Sequence, residues 1–177
     1  MEKSVCKIDP KIIYDLNNQI SKNRIINWAP DYNDQAGISF DDLSYILDYW
    51  KNKFSWTNEE EKLNKFNQYV FQYDNVKTHF LHIKSNHKNS IPLLLIHGWP
   101  GSIFEFNDLI PLLTSPDKNN LKDHLAFDLI IPSLPNVGFS FSPKQKPLDL
   151  NEISKHFIKL MKTLDYQKYF IFCSIYY

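Results

Sequence analysis

The sequence predicts an α/β fold, in which a mostly parallel sheet with flanking helices follows a helical, meandering N-terminal region. Leu93–Ile96 is an unbroken apolar run between Pro92 and a Gly/Pro-rich turn, which is typical of a strand buried on both faces. Phe127–Pro132 and Lys168–Cys173 repeat this short apolar pattern. Segments with helical spacing separate the three runs, so the connections predict βαβ crossovers and parallel pairing.

Composition places the chain among folded globular proteins. Its 177 residues are enough to bury a core, and 43% of them are hydrophobic and 15% aromatic. Twenty basic and twenty acidic side chains cancel, so no nucleic-acid partner and no polybasic membrane patch is expected.

The cysteines and the apolar runs predict a soluble cytoplasmic protein. Cys6 and Cys173 lie at opposite ends without a CxxC pair, which argues against a disulfide scaffold. The N-terminus has no apolar stretch of signal-peptide length. No run reaches the roughly 18–20 apolar residues of a transmembrane segment, so none is expected.

The N-terminal third predicts three helices. Asp9 followed by Pro10 is an N-cap with proline at the first helical position. Asn23–Gly37 is rich in turn residues and predicts a meander. Ser39 caps the next helix, and Thr57–Glu60 has the capping-box pattern for a third.

The spacing of apolar residues then changes to the alternation that is typical of strands. Tyr69–Tyr73 and Val76–Ile83 predict a hairpin joined by Asp74 and Asn75, and the polar loop after it leads into the apolar run at residue 91.

Two helices are expected among the parallel strands. One follows the turn after residue 96, because apolar residues recur there at helical spacing, and the other is capped by Asp149 with Glu152. The apolar positions of the first helix are Ile103, Phe106, Ile110 and Leu113.

Several motifs resemble those of the epoxide hydrolases, in the branch that contains the microsomal and juvenile-hormone enzymes. His97-Gly98-Trp99-Pro100-Gly101 follows a buried strand, and Pro132-Ser133-Leu134-Pro135 precedes Gly138-Phe139-Ser140. Asp48-Tyr49-Trp50 and Phe54-Ser55-Trp56 add the N-terminal pattern of that branch. The resemblance implies an incomplete α/β-hydrolase fold. It divides the chain into an N-terminal-type region, residues 1–90, and the first part of the catalytic core, residues 91–177.

The resemblance also implies a chemistry. In this family an Asp carboxylate opens a small apolar epoxide to give an ester, tyrosines protonate the leaving oxygen, and a His–acid pair activates water to release a diol. No cofactor and no metal are used. Carried over, the backbone N–H of Trp99 is one oxyanion-hole donor, and the Trp99 ring lines the pocket wall. The expected scaffold of this loop consists of His97, Gly98, Pro100 after a cis bond, and Gly101.

The sequence departs from the family at two points. Asn136 stands where the family has glycine, although asparagine tolerates positive φ better than most residues. Ile175 occupies the slot of the nucleophile, and isoleucine has no nucleophilic atom. Ser174 lacks the G-x-S-x-G frame of a serine nucleophile and a base. We therefore expect the chain to be truncated before the nucleophile and inactive alone.

Other candidate sites are weaker. All six histidines precede residue 157, whereas the triad histidine comes last in α/β-hydrolases. His79 and His82 face opposite sides of a strand, which makes them poor metal partners, and Asp128 and Asp165 lie at the wrong strand end for a nucleophile. The alternatives left open are a non-catalytic ligand- or protein-binding module and a fragment of an esterase or haloalkane dehalogenase.

Overall fold

A computed structural model describes residues 1–24, 37–119, 125–141 and 145–174, apart from the side chains of residues 117 and 119. It divides the chain into two compact units. One unit is Lys7–Leu63, and the other combines Met1–Cys6 with Asn64–Tyr177. The boundary predicted at residue 90 separates regions by family resemblance and stays a prediction. Most of the predicted meander and Ile175 lie outside the described residues.

The described residues of the Lys7–Leu63 unit form three helices: α1 Pro10–Lys22, α2 Phe40–Asn52 and α3 Trp56–Leu63. The caps predicted for the first two are confirmed, because Asp9 accepts from the N–H of Lys11 and Ser39 accepts from that of Asp42. The prediction that Thr57 opens α3 is wrong. The helix begins at Trp56, because the Ser55 hydroxyl accepts the N–H of Asn58 and the Ser55 carbonyl accepts that of Glu59. Glu60 binds the indole N–H of Trp56 instead of closing a box.

The described residues of the second unit form a six-stranded sheet. Its strands are β1 Glu2–Ser4, β2 Gln68–Tyr73, β3 Val76–Ile83, β4 Ile91–Ile96, β5 Phe127–Pro132 and β6 Phe170–Cys173. Their order in the sheet is β1-β2-β3-β5-β4-β6. The sheet is mixed rather than mostly parallel, because β1-β2, β2-β3 and β3-β5 are antiparallel pairs. Only the predicted β5-β4-β6 portion is parallel.

The predicted hairpin between β2 and β3 is confirmed. Asp74 and Asn75 both adopt positive φ, at 49° and 63°, which matches the right-handed twist of the strands that they join. Tyr73 consequently pairs with Val76 directly across the turn.

The helical segments after β4 differ from the expectation of one helix. A 3-10 turn at Ile103–Phe106 is followed by a separate short helix, α4 Leu109–Thr114. Ile103, Phe106 and Ile110 are buried as their spacing predicted, so the apolar face is continuous although the helix is not. Further 3-10 turns cover Pro116–Asn119 and Gly138–Ser140.

The last helix, α5 Leu150–Thr163, forms the predicted capping box between Asp149 and Glu152. Its buried face packs on one face of the sheet and forms the core cluster there. The fully covered members of this cluster include Phe80, Leu94, Ile130, Leu160 and Met161. No helix in the described part of the chain is long and apolar enough to cross a membrane.

Candidate active site

The candidate site lies where the parallel strands end. The turn of His97-Gly98-Trp99-Pro100-Gly101 follows β4, and Ser133-Leu134 follows β5. The amide of Ser174 extends the β6 ladder by donating to the carbonyl of Ile96 at 2.9 Å. In open α/β sheets this carboxyl edge is where ligands bind.

The imidazole of His97 connects the two turns. It is 1% exposed, and its Nε2 accepts the backbone N–H of Leu134 at 3.0 Å. A backbone N–H can only donate, so Nε2 carries no proton and the neutral ring is protonated on Nδ1. Nδ1–H then donates to the carbonyl of Gly98 at 2.8 Å.

This bond orients the peptide unit that carries the N–H of Trp99. The Gly98 carbonyl and the Trp99 N–H belong to one planar unit and point in opposite directions, because that peptide is trans. With the carbonyl held by His97, the N–H is turned the other way. Among the described residues it donates to no protein acceptor. The indole is 72% exposed, and the bond from Trp99 to Pro100 is cis, as predicted.

The second turn is built around Ser133 and Ser140. Asn136 adopts φ 63°, a left-handed conformation that glycine adopts readily and that asparagine tolerates better than most residues. The hydroxyl of Ser140 donates to the Ser133 carbonyl at 2.9 Å and accepts the backbone N–H of His79 at 3.0 Å. Both serines are buried, so these bonds form away from water.

His79 lies beneath this turn and joins it to the antiparallel strands. Its Nε2 is 2.9 Å from Oε1 of Gln68, and its Nδ1 is 3.1 Å from Oγ of Ser133. The amide nitrogen of Gln68 donates to Asn64, so the amide oxygen faces the histidine and accepts a hydrogen bond from its Nε2–H. Burial lowers the pKa of His79 to about 4, because the charged form would be desolvated.

Gly101 closes the first turn. A Cβ at this position would collide with the carboxylate of Glu105 and would lie 3.2 Å from the carbonyl of Gly98. The Glu105 carboxylate accepts the N–H of Ser102 at 3.1 Å, and the Ser102 hydroxyl accepts that of Phe104. Glycine therefore leaves room for the capping box that starts the 3-10 turn.

A groove of about 620 Å³ opens beside Trp99. The turn residues His97, Gly98 and Trp99 form one wall, and side chains of α5 and β6 form much of the rest. The further lining is mainly apolar and includes Leu134, Ile153, Phe157, Tyr169 and Ile171. Such a surface suits a ligand with a large apolar part and a small polar group.

A different polar cluster lies at the amino end of the parallel strands. Oδ1 of Asp128 accepts the N–H of Ser85 and the hydroxyl of Ser90, each at 2.9 Å, and Oδ2 accepts the hydroxyl of Tyr166 at 3.2 Å. The Tyr166 oxygen also lies 3.0 Å from Nε2 of His82. Burial and, to a smaller extent, the neighbouring Asp128 charge raise the pKa of the Tyr166 hydroxyl. Burial and, to a smaller extent, the positive charge of Lys84 lower the pKa of His82.

The structure thus places His97, Gly98 and Trp99 along the groove, and the cis Pro100 and Gly101 continue the same turn. It keeps His79 and His82 apart, each with its own partners. No cluster of metal-ligating side chains occurs in the part of the chain that is described. The sequence reasoning missed the hydroxyls of Ser133 and Ser140, although both motifs had been singled out for their resemblance.

Comparison with known protein families gives a match over residues 1–106 to the family described as "Epoxide hydrolase N terminus". A putative epoxide hydrolase of Stigmatella aurantiaca is 44% identical over 130 residues, which are 73% of this chain and 30% of that protein. Epoxide hydrolase 1 of Sus scrofa is 34% identical over 163 residues, or 90% of this chain and 36% of that protein. The chain therefore spans about a third of the length of these curated relatives.

Solved structures agree with these matches. The Aspergillus niger epoxide hydrolase superposes with a TM-score of 0.82 at 27% identity, over 98% of this chain and 46% of that one. The juvenile hormone epoxide hydrolase of the silkworm Bombyx mori gives a TM-score of 0.82 at 27% identity, over 98% of this chain and 41% of that one. The predicted fold class, an incomplete α/β-hydrolase fold, is confirmed by these superpositions.

Proposed function

This chain belongs to the epoxide hydrolase family, and we propose that it supplies the N-terminal part and one oxyanion donor of an enzyme that converts an epoxide into a vicinal diol. The observation that carries the proposal is the Trp99 N–H, which is turned away from His97 at the edge of an apolar groove. The match to the family over residues 1–106 supplies the reaction class.

In the proposed reaction an Asp carboxylate attacks one epoxide carbon, and the C–O bond to the ring oxygen breaks as that oxygen takes a proton. A base takes a proton from water as the water oxygen adds to the ester carbonyl, and negative charge develops on the carbonyl oxygen. The Trp99 N–H stabilises this charge, since an aimed donor gains strength as charge accumulates. The tetrahedral intermediate then breaks its bond to the substrate oxygen, which takes a proton and leaves as the diol, so that the Asp carboxylate is restored. The carboxylate, the base and the acid tyrosines come from polypeptide outside these 177 residues.

The apolar groove fits a small apolar epoxide as substrate. Side chains such as Leu134, Phe157 and Ile171 bury a hydrocarbon group, while the loop beside them presents the polar donor. The chain acts as a soluble cytoplasmic module in this proposal, and it uses no cofactor.

The test is a chimera in which this chain replaces the matching segment of the Stigmatella aurantiaca protein. We expect it to form diol from styrene oxide, measured by chromatography. Replacing Trp99 by its α-hydroxy analogue exchanges the N–H for an ester oxygen and should lower kcat by about 10²–10³-fold. Trp99→Phe keeps the N–H and is the matched control, with a much smaller loss expected. The isolated chain should form no diol.

Two results would overturn the proposal. An active chimera that tolerates the α-hydroxy analogue would remove the donor role of Trp99. Diol formation by the isolated chain would show that the catalytic groups lie within these residues.

A further inference from the structure

The hydrogen bonds around His97 form one continuous chain with a single direction. It begins at the His79 N–H, which donates to Oγ of Ser140 at 3.0 Å, and the Ser140 hydroxyl donates to the Ser133 carbonyl at 2.9 Å. The Leu134 N–H then donates to Nε2 of His97 at 3.0 Å. Nδ1–H of His97 donates to the Gly98 carbonyl at 2.8 Å.

Rigid planar groups connect these bonds in series. The Ser133 carbonyl and the Leu134 N–H are opposite ends of one peptide unit, and so are the Gly98 carbonyl and the Trp99 N–H. The imidazole ring links the two units. Every member accepts on one side and donates on the other, and the sequence ends on the Trp99 N–H at the groove.

We propose that Ser140 is a positioning residue that, through Ser133–Leu134 and His97, sets the direction and polarisation of the Trp99 N–H. This inference rests on the proposed function, because the N–H needs orienting only if it serves as a donor. Ser140 touches no groove residue directly in this role and acts through His97.

The physical reason is cooperativity in a dry environment. Ser140, Ser133 and His97 are each at most 3% exposed, so no water competes for these bonds. A carbonyl that accepts a hydrogen bond makes the N–H of its own peptide unit a stronger donor, by about 10–30% for each bond in a chain. The chain also fixes the His97 proton on Nδ1, which the Gly98 carbonyl requires.

Ser140 holds this position because β5 leaves the sheet after Pro132. From residue 80 onward β3 pairs with β5, but the His79 N–H has no strand partner and uses the Ser140 hydroxyl instead. The same hydroxyl then ties down the Ser133 carbonyl.

Ser85 provides a matched control. Its hydroxyl also accepts a backbone N–H, that of His87 at 3.1 Å, and donates to a backbone carbonyl, that of Thr114 at 2.8 Å. It contacts Asp128 at the opposite end of the parallel strands through its own N–H. Ser85→Ala therefore removes two bonds of the same kinds as Ser140→Ala does, but leaves the series of hydrogen bonds that ends at Trp99 intact.

The experiment is ¹⁵N NMR of the 177-residue protein, in solution or by magic-angle spinning so that association of the chain does not prevent it. The wild type should show His97 protonated on Nδ1 alone and a coupling between the Leu134 amide nitrogen and Nε2 of His97. Ser140→Ala should lose this coupling, mix the two tautomers and shift the Trp99 amide nitrogen. Ser140→Thr and Ser85→Ala should keep all three signals.

A His97 protonated on Nε2 in the wild type would overturn the inference without any variant, including the case in which Ser140→Ala does not fold. Unchanged His97 and Trp99 signals in folded Ser140→Ala, or equal changes in Ser85→Ala, would also overturn it. A Trp99 N–H that proves dispensable in the chimera would refute the proposed function instead and leave the hydrogen-bond chain in place.

Discussion

The two ends of the parallel strands use buried polar groups in different ways. At the amino end, the Asp128 carboxylate accepts hydrogen bonds from Ser85, Ser90 and Tyr166, so that donors and acceptor satisfy one another within the protein. At the carboxyl end, the bonds through Ser140 and His97 run in one direction and finish on a donor without a protein partner among the described residues. At one end the polar groups bind one another, whereas the bonds at the other end lead to the backbone N–H of a residue that lines a groove.

This difference separates the expected consequences of substitution. At the closed amino end, removal of the shared acceptor takes a hydrogen bond from several half-buried groups at once, so the free energy of unfolding should fall most there. At the open carboxyl end, the unpaired donor is already part of the native arrangement, and substitutions should alter geometry and chemistry more than stability. Three measurements of stability test the contrast.

The largest loss is expected for Asp128→Ala. It removes the buried carboxylate that accepts from the half-buried Ser85 N–H and from the Ser90 and Tyr166 hydroxyls. We expect the free energy of unfolding to fall by about 4 kcal/mol, measured by urea denaturation. Asp128→Asn keeps an oxygen for Ser85 and Ser90 and should lose clearly less. A loss for Asp128→Ala no larger than that for Ser140→Ala would break the comparison.

Acid should weaken the carboxyl end through His79. Its folded-state pKa is about 4 and its ordinary pKa is 6.5, so between these values the unfolded chain binds a proton that the folded chain does not. Stability therefore falls as the pH is lowered through this window, by about 3 kcal/mol near pH 4.

The pH effect is measured as the difference between wild type and His79→Gln in urea midpoints from pH 7 to pH 4. The variant should be less stable at pH 7, because it loses bonds to Gln68 and Ser133, but its stability should decline less on acidification. Burial lowers the pKa of His156 as well, so some decline remains in both proteins. Parallel curves would contradict the assignment to His79.

The smallest effect is expected at Gly101. An added methyl group displaces the carboxylate of Glu105, the end of a flexible side chain, and so breaks the capping box with Ser102. Gly101→Ala should cost about 1 kcal/mol in thermal or urea unfolding, which is the usual contribution of a cap. In a Glu105→Ala background the same substitution should cost less, and full additivity would show that the collision lies elsewhere.

The parts of this molecule that local sequence determines were predicted well. Asp74-Asn75 specified the hairpin, Asp149 with Glu152 specified the start of α5, and the apolar run after Ile91 specified a buried parallel strand. These features depend on turn chemistry, capping and burial, which neighbouring residues encode. The interruption between Phe106 and Leu109 was missed, because apolar spacing continues across it.

The polar chain at the candidate site could not be predicted in this way. His97 and Leu134 are 37 positions apart, and His79 and Ser140 are 61 apart. Only the folded sheet brings them together, and the decisive partners are backbone groups that every residue carries. Resemblance pointed to the turn of Trp99, whereas the direction of its hydrogen bonds required the structure.

Met1–Cys6 belongs to the same unit as Asn64 and the residues after it, and this feature has a consequence for chain entropy. The Cys6 N–H and carbonyl both bind the Asn64 side chain, at 2.9 and 2.8 Å. Lys7–Leu63 is therefore a long insertion in this unit, and the two ends of the insertion are held together by the bonds between Cys6 and Asn64. Replacing that segment by a linker about ten times shorter should reduce the entropic cost of closing the loop by about 2 kcal/mol.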